Sequence, residues 1–269
     1  MKNNRSRVFG VWLGLALLGT LVVAGSAEAS GPLAYITNLG GNTVSVIDTA
    51  TNTVTATVAV GVSPIGVAVA LGGAHVYVTN AFDNTVSVID GATNTVTATI
   101  LVGALPYSAA VTPDGSRVYV TNGGDFTVSV IDTATNTVTA TVPVGIQPAG
   151  VAVAPDGAHV YVTNIGDNTI SVIATATGTV TATIPAGIAP AGLAFTPDGT
   201  RVYVGNNGDA TVSVIATATN TVTAIVPAGG CPFGVAVTPD GAFVYVANQC
   251  DGTVTVIATA GNTVTAPCR

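Results

Sequence analysis

The sequence predicts an all-β fold, a β-propeller of six four-stranded antiparallel blades whose first blade lacks its innermost strand. Three observations predict it. Tyr35, Tyr77, Tyr119, Tyr161, Tyr203 and Tyr245 recur at a constant step of 42 residues, and Asn38, Asn80, Asn122, Asn164, Asn206 and Asn248 keep the same step. Each period holds short runs of β-branched residues separated by turn chemistry, with no helical stretch between them. The connectors are also too short for a parallel crossover, so neighbouring strands must run antiparallel.

Before the first repeat, Lys2, Arg5 and Arg7 precede an almost wholly apolar run from Val8 to Ala24, and Ala27-Glu28-Ala29 offers a small-x-small cleavage pattern. This is the grammar of an export signal, so residues 1–29 are expected to be removed and residues 30–269 to form a single propeller domain. The mature chain is then secreted or periplasmic, with no membrane span after signal cleavage. Only 7% of the residues are charged and the mean hydropathy is +0.63, whereas ordinary domains carry about 25% charged residues. The surface must therefore be built from Thr, Ser, Asn and Gly. A net charge of −7 argues against nucleic-acid binding through a basic face.

Within one period the strands, in chain order, are a, b, c and d. In one copy they read Gly150-Val-Ala-Val-Ala154, His159-Val-Tyr-Val-Thr163, Thr169-Ile-Ser-Val-Ile173 and Thr179-Val-Thr-Ala-Thr-Ile184. Pro155-Asp-Gly157, Gly166-Asp-Asn168 and Thr175-Ala-Thr-Gly178 join them as turns. Strands b, c and d recur six times, but a begins only five times, near Gly66, Ser108, Gly150, Gly192 and Gly234. With no sixth a strand, ring closure is expected to rest on side-chain packing between the first and last blades.

Alternating strand direction puts the d–a and b–c loops on one face (the first) and the a–b and c–d turns on the other (the second). The first face carries Asp83, Asp125, Asp167, Asp209 and Asp251, one to a blade, with Gly41 breaking the series. Either each braces its own loop as an Asx-turn, or the five together draw a cation. Oxygen-only ligands would then favour weak Ca²⁺ binding, and no other cofactor is expected. Phe82, Tyr107, Phe126 and Phe233 fall in first-face loops without counterparts in most blades, and loop aromatics on a rigid scaffold can contact partners. Cys231 and Cys250 share this face of the last blade, and an oxidising compartment favours a disulfide between them. No catalytic constellation emerges: His75 and His159 occupy a column shared with Arg117, Arg201 and Phe243, on the opposite face from the Asp ring.

Tyr77-Val-Thr-Asn80, Tyr119-Val-Thr-Asn122 and Tyr161-Val-Thr-Asn164, with near matches at Tyr35, Tyr203 and Tyr245, resemble the YVTN-family β-propeller repeat proteins. The flanking Thr-Val-Ser-Val-Ile-Asp and Thr-Pro-Asp-Gly elements fit as well. The resemblance covers nearly all of the mature chain and implies the propeller fold. For function it implies a wide group of secreted and surface proteins, lactonase-like enzymes and accessory proteins. The residues favour a non-enzymatic binding scaffold for an unknown protein, glycan or surface partner. A lactonase-like hydrolase and a structural cell-surface protein are the alternatives.

Overall fold

The computed structural model describes residues 32–268; the expected export signal lies outside the described residues. The first sheet holds β1 (Leu33–Asn38), β2 (Thr43–Asp48) and β3 (Thr53–Ala59). The second holds β4 (Pro64–Val69), β5 (His75–Asn80), β6 (Thr85–Asp90) and β7 (Thr95–Leu101). The third runs β8 (Pro106–Val111), β9 (Arg117–Asn122), β10 (Thr127–Asp132) and β11 (Thr137–Pro143). The fourth runs β12 (Pro148–Val153), β13 (His159–Asn164), β14 (Thr169–Ala174) and β15 (Thr179–Pro185). The fifth runs β16 (Pro190–Phe195), β17 (Arg201–Asn206), β18 (Thr211–Ala216) and β19 (Thr221–Pro227). The sixth closes with β20 (Pro232–Val237), β21 (Phe243–Asn248), β22 (Thr253–Ala258) and β23 (Thr263–Cys268). All pairings are antiparallel between chain neighbours, and a 3-10 turn at Leu71–Gly73 interrupts one a–b connection. These are six blades, the first of three strands.

Each a strand starts at its proline, two residues earlier than the sequence suggests. Proline cannot donate to the ladder, and register irregularities follow it, between Pro64 and Val67 and at the equivalent places in the other four blades. A threonine of strand b fills the gap: the Gly66, Ser108 and Gly150 amides donate to Thr79, Thr121 and Thr163 hydroxyls at 2.8, 3.0 and 2.8 Å. The a strands pack in turn, β4 on β8, then β12, β16 and β20, and so line the centre.

The core lies between blades, in five clusters. In the first, Tyr35 of one blade packs on Val76, Val78 and Ile89 of the next, and Tyr77, Tyr119, Tyr161 and Tyr203 repeat the arrangement. These five tyrosines are buried, Tyr35 most exposed at 7%. Tyr245, the sixth, is 44% exposed. Among the described residues no core cluster joins the last blade to the first, so the expected side-chain packing across the ring's junction is absent. Across the described residues the six blades form an open arc, with no substantial contact between strands of the first and last. Its ends show why: among the described residues no sixth inner strand continues the a-on-a packing that draws successive blades together.

Candidate functional site

The loops of the first face form a hydrogen-bonded rim. Every d–a loop is held from its own blade, and three are held from the preceding blade as well. From the preceding blade, Asn42, Asn84 and Asn168 accept the Ser63, Leu105 and Ala189 amides on Oδ1, at 3.0, 3.0 and 2.8 Å. From its own blade, Asp83 and Asp125 accept the Val62 and Ala104 amides on Oδ2, both at 2.6 Å. Asp167 and Asp209 accept those of Ile146 and Ile188 at 3.1 and 3.0 Å, and Asp251 accepts that of Gly230. These aspartates brace loops not as Asx-turns but as staples to a loop 21 residues away. The loop approaches so closely that a Cβ on Gly61 would lie 2.6 Å from Asp83 Oδ2, which explains the glycine.

Large apolar side chains stand on this rim. Leu39, Val62, Phe82, Leu105, Ile146 and Ile188 are all exposed there, Phe82 at 70%. Phe126 breaks the repeat. It occupies the column of Asn42, Asn84 and Asn168, and its φ of 58° is left-handed like theirs. Asparagine tolerates that region because its short side chain bonds local backbone; a phenylalanine there costs on the order of 1–3 kcal/mol. Its ring cannot accept the amide of the following d–a loop as Asn does, yet 41% of the residue is in solvent. The column was visible in the sequence; its backbone strain was not.

Tyr107 and Phe233 do not lie in first-face loops as expected. They are the second residues of β8 and β20, and they meet across the centre from blades three apart, ring centroids 6.5 Å apart and planes at 61°. Burial pushes the Tyr107 hydroxyl up to about 12. The other a strands carry Ile65, Ala149 and Ala191 at this position. The last blade is pinned to the rim by the Cys231–Cys250 disulfide, with Cα atoms 5.3 Å apart.

The second face is held by local turns. Asp114 accepts from the Thr112 hydroxyl at 2.5 Å and the Ser116 amide at 3.0 Å, bonds that hold its carboxyl down at about 2. Arg117 and Arg201 donate to the Thr175 and Thr259 carbonyls of the next blade, both at 2.8 Å. Two shallow cavities lie between blades here. One, of about 340 Å³, is lined by Asp114, Arg117, Asp156 and Thr175. The other, of about 280 Å³, is lined by His159, Tyr161, Phe195 and Asp198. Among the described residues, no group of three or more His, Cys, Asp or Glu converges as a metal site.

A family model described as YNCE-like β-propeller matches residues 63–157 and, in a second overlapping match, residues 113–204. The chain belongs to the YNCE-like β-propeller family. A model described as lactonase, seven-bladed β-propeller, matches residues 182–265 of this YNCE-like chain. Among solved structures, it is similar to Kuenenia stuttgartiensis hydrazine synthase, with 24% identity and a TM-score of 0.62, over 86% of this chain and 93% of that one. It is also similar to a functionally unknown protein from Desulfotomaculum acetoxidans DSM 771, with 21% identity and a TM-score of 0.78, over 87% and 78%. At these identities the likeness carries the fold alone. A search of curated proteins returned no match.

Proposed function

We propose that this YNCE-like propeller is an extracytoplasmic, non-enzymatic scaffold that presents its first face to a protein, glycan or surface partner. The observation that carries the reading is Phe126, an exposed aromatic held at a left-handed position where three other blades use Asn to staple their loops. A bulky, exposed aromatic at a left-handed position where the other blades carry Asn, Ala210 or Gly252 is the mark of a side chain selected for contact rather than stability. Phe82 and the apolar loop residues extend the same surface. The basic, apolar and small-residue succession before the first blade supports export, as does the disulfide, since disulfides persist in oxidising compartments. On this reading the first-face aspartates brace loops, and thermal midpoints in millimolar Ca²⁺ and in chelator coincide.

The partial match to the lactonase model favours a second reading, lactone hydrolysis. One experiment separates the two. The protein is used as bait in its native extracytoplasmic fraction beside a Phe82→Ser/Phe126→Ser variant and a Leu71→Ser control altered on the second face. A component retained by the wild type and the control, and lost by the double variant, is the expected result. Equal capture by all three, or turnover of simple lactones by the purified chain, overturns the scaffold reading.

A further inference from the structure

Among the described residues the first blade has no inner strand, and what is left uncovered is specific. In the ladder between β1 and β2 the Thr49 amide donates to the Pro32 carbonyl, so Ala34 and Ile36 pair with β2. Alternation then turns the backbone N–H and C=O groups of Leu33 and Tyr35 to the open side. Their counterparts are paired: Tyr77, at the Tyr35 position, lies opposite Ala68 of β4. Ile36 and Thr37 are half-buried, whereas Val78 and Thr79 are fully buried at 0%.

Thr37 is set up for a strand it does not have. Thr79, Thr121 and Thr163 each donate to a carbonyl of the next blade's a strand, at 2.9, 2.8 and 2.6 Å, while accepting an amide from their own. Thr37 makes the first bond, to the Ile65 carbonyl at 2.8 Å. Its acceptor side has no a-strand amide in its own blade among the described residues. The neighbouring wall is equally formed. The third residue of each a strand is Gly66, Ser108, Gly150, Gly192 or Gly234, and at Gly66, Gly150 and Gly192 it runs against the next a strand's backbone. A Cβ would lie 2.6 Å from the Tyr107 carbonyl oxygen at Gly66, 2.3 Å from that of Ala191 at Gly150, and 2.1 Å from that of Phe233 at Gly192.

We infer that the open inner edge of β1 receives one extended strand from a partner chain, with the chemistry Pro-x-Gly-Val-Ala-Val that fills this slot in three of the other five blades. Main-chain pairing to Leu33 and Tyr35 supplies affinity, as in other cases of strand addition. Thr37 and the Ile65 carbonyl supply selectivity, the first by accepting the amide of the third residue and the second by excluding its side chain. This surface is separate from the first-face loops, so the inference stands or falls apart from the scaffold reading.

The test uses the full chain and a labelled peptide of sequence Pro-Ala-Gly-Val-Ala-Val on a soluble linker, followed by fluorescence anisotropy. Saturable binding is expected. A peptide with Val in place of Gly should lose it at least about tenfold, because overpacking against backbone cannot relax cheaply. Thr37→Val should weaken it about fivefold, the worth of one hydrogen bond, and Thr79→Val, whose strand is in place, should not. Hydrogen exchange should show the Leu33 and Tyr35 amides unprotected in the free chain and slowed by the peptide. No saturable binding overturns the inference, as does binding indifferent to the Gly→Val change, which needs no protein variant. Protection of both amides before peptide is added also overturns it, since residues preceding Pro32 would then occupy the slot.

Discussion

At position 126 the protein keeps the less stable residue. Replacing Phe126 by Asn removes a left-handed aromatic and restores an acceptor for the next d–a loop, as at Asn84, whose Oδ1 accepts the Leu105 amide at 3.0 Å. The variant is expected to gain about 1–2 kcal/mol, with a midpoint raised by about 2–8 °C, and to lose first-face capture. A lower midpoint would mean that the ring packs on the rim and stabilises it. Asp114 makes a prediction in pH. Its carboxyl is held down at about 2, from an ordinary 3.8, first by the Thr112 hydroxyl and then by the Ser116 amide and hydroxyl. A depressed folded value contributes stability that is complete above the unfolded value and is lost as pH falls through the folded one. The midpoint should therefore hold level down to about pH 4 and decline from there toward pH 2. Asp114→Asn should flatten that decline. An equal decline in the variant would place the acid sensitivity elsewhere, as at Asp198 or Asp240, which occupy the equivalent turns of other blades and are also lowered.

At the scale of elements, strands b, c and d were legible because alternation and short turns are local signals. The a strands were legible in number and misplaced in their start, since Pro64 and its equivalents look like loop residues until the Thr79 hydroxyl is seen to replace the missing ladder bond. The aspartate staples were not legible. An Asx-turn is the local use of such a residue, and nothing nearby marks a partner 21 residues back. Tyr107 and Phe233 were misread for the same reason: they are far apart in sequence and meet only because the a strands circle a common centre. Strand packing at that centre sets the third prediction. Gly192→Ala should cost about 1–3 kcal/mol, because its Cβ would press on the Phe233 carbonyl carried by a rigid neighbouring strand. Gly40→Ala, with nothing within 4 Å of its Cβ, should stay within about 0.5 kcal/mol. Equal midpoints for the two would mean that the a strands can part, and the close-packed centre would be wrong.

For the whole molecule, the number of blades was readable from the 42-residue step, but closure was not, because it depends on the angle at which one blade leans on the next. Among the described residues the structure answers with an arc: five packed interfaces, a Tyr245 left 44% exposed, and a first blade without an inner strand. A blade with one packed face has less buried area to lose on opening than a blade with two, so stability should fall from the middle of the arc toward its ends. The disulfide sits in one of those end blades, where a covalent tie offsets the missing neighbour. Amide hydrogen exchange measured strand by strand on the free protein tests the arc most directly. The account predicts that amides in β1–β3 and β21–β23 exchange faster than those in β8–β15; uniform protection across all six blades would contradict it and show the ring to be closed.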